Sequence, residues 1–171
     1  GSSVTDRWQI LGVQTEPVEQ LQERRVWLYG ETSQRYALIL DFAHRSRPFD
    51  AVYPLGHWFT GELVYYPSAY PQRTVVKEQQ GSYAPIQPNM LKLPTTVEAI
   101  LEGYADALAI NPFLQFVPAG LQRGWVTRSD LIDPDGKQLP LTRSAQPQWL
   151  NAVIGGDWLP IFGEWDGASF Q

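Results

Sequence analysis

Twenty-two aromatic side chains in 171 residues, seven of them Trp, fall in short segments separated by Gly, Pro and Asp turns. That placement limits the fold more than any other feature. Rings of this size cannot all stay on a soluble surface without forming patches, so most of them must be buried. The segments alternate aromatic and β-branched residues with polar ones, which is the period of a strand. Val26 to Tyr29, the polar turn Glu31-Thr32-Ser33-Gln34, and Tyr36 to Phe42 read as a hairpin. Phe59 to Tyr66, a turn from Pro67 to Pro71, and Arg73 to Lys77 read as a second. The prolines bound these strands because they cannot donate to a ladder. Trp8 to Val13 suits a first strand, and residues 16 to 24 read as a polar connector or one helical turn after Pro17.

Between Glu78 and Asn89 the composition shifts to Gln, Gly, Ser and Pro, the pattern of a linker. The clearest helix follows. Thr95 with Glu98 three residues on makes a capping box, and Val97, Ile100, Leu101, Tyr104 and Leu108 form one apolar stripe. Asn111-Pro112 ends it. Trp125 to Ile132 and Lys137 to Leu141 flank Asp133-Pro134-Asp135-Gly136, a type I turn signal. A short helix starts at Pro147 and closes at Gly155-Gly156, and Trp158 to Trp165 is a last strand before a turn at Asp166-Gly167.

The expected fold class is therefore α+β, mainly antiparallel β hairpins with a main helix over about 95–110 and a short one over about 147–154. The expected organisation is one domain over 4–171, or two lobes, 4–77 and 93–171, joined by a linker over 78–92. Gly1-Ser2-Ser3 reads as a cloning remnant and the chain stops within a hairpin, so an excised domain is expected.

Zero Cys removes disulfides, thiolate metal sites and thiol catalysis together, and fits a reducing, cytoplasmic setting. No apolar run approaches the roughly 18 residues of a membrane helix. With 13 basic and 18 acidic residues the net charge is -5, which works against a grip on phosphate, so nucleic acid is not the expected partner.

Candidate chemistry is sparse. His44 and His57 lie 13 apart with no second His at helical spacing, so neither is expected to bind metal. Asp130, Asp133 and Asp135 resemble a piece of a calcium loop, but no acid follows Gly136, and a turn is the expected role. For paired-carboxylate work the best set is Asp157, Glu164 and Asp166, with Glu31 and Glu62 from other strands. Glu31, Glu62 and Glu164 each follow a Gly, and the phrases Leu28-Tyr29-Gly30-Glu31 and Ile161-Phe162-Gly163-Glu164 echo one another. Neither a Gly-x-Ser-x-Gly elbow nor a Gly-rich phosphate loop occurs. No catalytic residue, metal or cofactor is expected. Arg24-Arg25, Arg45 with Arg47, and Arg123 with Arg128 read as solvated faces. Tyr65, Tyr66 and Tyr70, in a Pro-bounded run, are the candidate partner-binding residues, because adjacent strand residues point to opposite faces.

Pro160 to Gly167, Val26 to Glu31 and Glu62 to Pro71 together resemble the region outside the zinc finger of bacterial SWIM zinc-finger family proteins, in order along most of the chain. That family's finger is a Cys-x-Cys…Cys-x-His element, so with no Cys no zinc ligand carries over. The resemblance implies an accessory or docking domain of a larger bacterial protein, in company with MoxR-type AAA+ ATPases and von Willebrand A-domain proteins. The expected function is non-catalytic protein interaction. The competing expectations are a small-ligand or hydrolytic domain with a carboxylate-lined cleft, and a nucleic-acid-binding accessory domain.

Overall fold

The computed structural model describes residues 1–142 and 158–171. It is mostly strand, mainly antiparallel, with one α-helix and one short 3-10 turn at Pro88–Met90. The expected short helix at 147–154 lies outside the described residues. The chain divides into two compact units, Gly1–Met90 and Leu91–Gln171.

The first unit is a closed barrel of five strands, β1 (Ser3–Val18), β2 (Leu21–Gly30), β3 (Tyr36–His44), β4 (His57–Tyr65) and β5 (Arg73–Pro85). Their order around the barrel is β1-β2-β3-β5-β4, with β3 and β5 parallel and every other neighbour antiparallel. This is the connectivity of a Greek-key barrel of the OB type. Alternation fills the interior: Trp8, Ile10, Val26, Leu28, Ala37, Ile39, Phe59, Leu63 and Tyr65 form one buried cluster. Each large apolar side chain removed from water there stabilises by about 1.5–3 kcal/mol. The Trp8 indole N–H, which could not be left unpaired inside, donates to Gly61 O at 3.0 Å. A bulge between Ile10 and Gly12 lets β1 turn from its β4 pairing toward a long pairing with β2.

Two expectations are corrected in this unit. Residues 16 to 24 are neither connector nor helix: β1 continues to Val18, Glu19 turns at φ 56°, and β2 starts at Leu21. Their polar composition reflects a ladder that projects beyond the barrel, where most of these side chains meet water and Arg24 is buried against Asp41. The stretch 78–92 is not wholly a linker, because β5 runs on to Pro85 against β4. Its Gln, Gly and Ser residues are mostly exposed, so burial exerted no pressure for apolar residues there. Ser3 belongs to β1, and the Ser2 carbonyl accepts from Tyr65 N–H.

The second unit has helix α1 (Val97–Ile110) and a four-stranded sheet in the order β8-β7-β6-β9: β6 (Val117–Val126), β7 (Asp130–Ile132), β8 (Gln138–Pro140) and β9 (Leu159–Trp165). The N-cap is Thr96, one residue later than expected, with its hydroxyl accepting from Ala99 N–H. Thr96 is extended, and the next residue begins the helix. Burial follows Val97, Ile100 and Ala107, while Leu101 remains 40% exposed, so the covered stripe is rotated from the expected one toward the small Ala107. Trp125 to Ile132 is not one strand. It breaks at Thr127, whose hydroxyl accepts from Ser129 and Asp130 N–H. Among the described residues no helix is long and apolar enough to cross a membrane.

Candidate functional site

The tyrosine stretch divides as strand alternation demands. Tyr65 is buried, donates its hydroxyl to Tyr36 O at 2.8 Å and lies under the Arg35 guanidinium at 3.8 Å. Burial pushes that hydroxyl up to about 12, the Asp6 charge adding to it and Arg35 opposing it. Tyr65 therefore serves the barrel core and has no surface to offer a partner. Tyr66 is exposed with Arg73 over its ring at 4.9 Å, and Tyr70 is half-buried within the turn.

The carboxylates are largely engaged locally. Glu62 accepts from the Ser3 hydroxyl and from Lys77 Nζ at 3.2 Å, contacts that hold its carboxyl below the ordinary range, Ser3 first. His57 stands five residues earlier on the same strand and therefore on its opposite face, with Nδ1 3.2 Å from Leu55 O. Glu31 is exposed in the β2–β3 turn. In the second unit Glu164 is buried beside Gln171 Nε2 at 3.2 Å, and Asp166 accepts from Ser169 and Ala168 N–H at 2.7 and 2.8 Å. Those donors, Ser169 first, lower the Asp166 carboxyl, whose burial works the other way. Asp157 lies outside the described residues.

The repeated Gly-Glu phrase has two separate causes. A Cβ on Gly30 would overlap Ser33 Oγ and come 2.6 Å from Asp6 Oδ2. A Cβ on Gly163 would overlap Gln171 O and come 2.7 Å from Phe170 Cζ. One glycine admits a carboxylate and the other admits the Gln171 carbonyl and the Phe170 ring, so the echo is not a duplicated site.

Two buried aspartates hold turns, and the sequence singled out only one of them. Asp6 accepts from Ser33 N–H at 2.7 Å, Thr32 N–H at 3.1 Å and Arg7 N–H at 2.7 Å. Burial raises its pKa, but these donors outweigh it and hold the carboxyl below the ordinary 3.8. Asp133, the calcium-loop candidate, is fully buried. Its Oδ2 accepts from Val97 N–H at 2.7 Å, at the first turn of α1, while Oδ1 accepts from Asp135 and Lys137 N–H, each at 2.9 Å. Both oxygens serve backbone donors, and no cluster of three His, Cys, Asp or Glu suited to a metal occurs among the described residues.

Arg24 and Arg25, expected on a solvated face, are 8% and 4% exposed. Beyond the barrel, β1, β2 and the end of β3 continue as a three-stranded arm, because the β1–β4 ladder stops at Gln9↔Trp58 and the β3–β5 ladder at Ile39↔Thr74. On the side of the arm continuous with the barrel interior, Arg24 bonds Asp41 at 2.6 Å beneath Phe49, whose ring lies 4.3 Å away. On the other side, register sets Glu16 opposite Glu23, a repulsive pair. Arg25 bridges them at 3.0 and 2.9 Å, and this contact lowers the Glu16 carboxyl.

Past that clamp, the same face carries Val18, Leu21 and Phe42, exposed by 41%, 41% and 51%, with His44 beside Leu21. Val18 and Leu21 pair directly across the turn, and Phe42 pairs with Glu23 on the next row. Sequence alone gives little sign of this face, because Val18 and Leu21 stand three apart in a polar run and meet only through the turn that 16–24 makes. Chemically the arm offers apolar contact and backbone hydrogen bonds. At its exposed end His44 Nδ1 lies 2.9 Å from Ser46 Oγ, a contact between residues two apart that ties the chain as it leaves β3. Comparison with protein-family models, with curated proteins and with solved structures finds no match for this chain.

Proposed function

We propose that the chain is a protein-docking domain without a reaction of its own. This is the accessory role implied by its resemblance to SWIM zinc-finger proteins, with AAA+ ATPase and von Willebrand A-domain proteins as candidate associates. The observation that carries the reading is the exposed apolar face of the arm, Val18, Leu21 and Phe42 on adjacent strands and braced by a buried Arg25. Clustered apolar side chains on a rigid sheet are what a partner covers, whereas single exposed ones are ordinary. The carboxylate-cleft reading loses ground because Glu62 is engaged by Ser3 and Lys77 of the neighbouring strands and Asp166 by its own turn. The test is a photo-cross-linking residue at Phe42 or at Tyr66 in the cell that makes the protein. An adduct with a second protein is expected from position 42. Adducts from position 66 alone would move docking to the tyrosine stretch, and adducts from neither would refute docking.

A further inference from the structure

The arm has an open edge as well as an open face. Leu38 N–H bonds Gln72 O, on the β5 side, so the even-numbered residues of β3 turn their backbone groups that way. The ladder to β5 ends at Ile39, which leaves Phe42 N–H and C=O directed past the sheet with no strand beside them among the described residues. The opposite edge of the arm, along β1, is blunted by Pro17, which has no N–H to give. The β3 edge has no Pro. Next to it stand exposed His44, Arg45 and Arg47. Glu16, Glu23 and Asp41 are committed to Arg25 and Arg24, so Arg45 and Arg47 have no ion pair among the described residues.

We infer that the β3 edge takes up an extended peptide of a partner protein, antiparallel to β3, carrying an apolar residue opposite Phe42 and an acidic residue two positions before it on the same face, beside His44 and Arg45. This rests on the docking reading and names its partner class. Strand addition draws affinity from main-chain bonds and selectivity from alternate side chains. Here the main-chain bonds are those of Phe42, and the alternate side chains meet the Leu21–Phe42 surface and then the cationic end of the strand. The acidic preference is local, since the chain as a whole carries -5.

The test uses a random peptide library displayed on phage and selected against the 171-residue chain. Enriched peptides are expected to show the acidic-x-apolar spacing and to bind at least tenfold more weakly to Phe42→Asp and to the Arg45→Glu, Arg47→Glu double variant. Both changes are at exposed positions, and circular dichroism checks their fold. Binding is expected to weaken as salt rises. N-methylating the peptide residue opposite Phe42 is expected to abolish binding, and methylating its neighbour, whose N–H points away, to leave it intact. Absence of an enriched class, indifference to Phe42→Asp, or equal tolerance of both methylations would overturn the inference. So would a concentration-dependent dimer of the chain lost in Phe42→Asp, which would make a second copy the occupant. If Phe42 cross-links a partner in cells while no peptide is enriched, docking stands and strand addition fails.

Discussion

A carboxylate buried among backbone donors costs free energy if it loses them and stabilises while it keeps them. Asp6 is such a group, and nothing in its neighbourhood of Ser-Val-Thr-Asp-Arg distinguishes it in the sequence. Its partners lie 26 and 27 residues away in the β2–β3 turn. The folded pKa is below the ordinary value of 3.8. Stabilisation by the ionised carboxylate is therefore complete above that value and is lost as pH falls through the folded one. Asp6→Asn, which keeps the shape and removes the charge, is expected to lower stability at neutral pH by about 1.5–3 kcal/mol. It is also expected to flatten the acid limb of a plot of urea midpoint against pH. An unchanged acid limb in the variant would assign acid sensitivity to other carboxylates. Gly30 belongs to the same arrangement: the sequence marked it through a repeated phrase, and the reason for it is room for Asp6 Oδ2.

At the scale of elements, the hairpins β2–β3 and β4–β5 and the helix α1 were legible because their apolar periods are strong and their turns carry Pro, Gly or Asp. The arm and the second half of β5 were not, because strands exposed to water carry no apolar pattern. What orders such a strand is a few specific contacts, and in the arm Arg25 is the main one. Arg25→Met keeps the length of the side chain and leaves Glu16 facing Glu23. Faster amide hydrogen exchange is expected along residues 13–18 and 21–25, with the barrel strands 4–10 and 58–64 little changed; uniform change across both would show that Arg25 supports the whole unit. In the second unit Asp133 connects the β7–β8 turn to the start of α1. Asp133→Ala is expected to cost about 3 kcal/mol through the loss of three charge-assisted bonds, and Thr96→Ala about 1 kcal/mol as an ordinary N-cap. Calcium is expected to leave the melting temperature of the unsubstituted chain unchanged, since both Asp133 oxygens already accept from the backbone.

Barrel closure belongs to the whole chain and leaves no local mark. The ladder that joins β1 to β4 pairs Ser3 with Val64, and the parallel contact of β3 with β5 spans only two residue pairs, so no window of sequence contains either. Topology of this kind does not choose a ligand, which is why the functional reading has to rest on the arm and not on the barrel. Closure does make a prediction about autonomy. Every strand of the barrel and every member of its core cluster, from Val4 to Tyr83, lies within residues 1–90. The loop-closure entropy of joining β1 to β4 is met by contacts internal to that segment. A fragment of residues 1–90 is therefore expected to unfold cooperatively in urea, with the near-ultraviolet dichroism of an ordered Trp8. Trp8→Phe should remove much of that signal, and its loss of the indole bond to Gly61 should lower the midpoint. A fragment with strand-like far-ultraviolet dichroism but no cooperative transition would show that the barrel needs residues beyond 90 to set its packing.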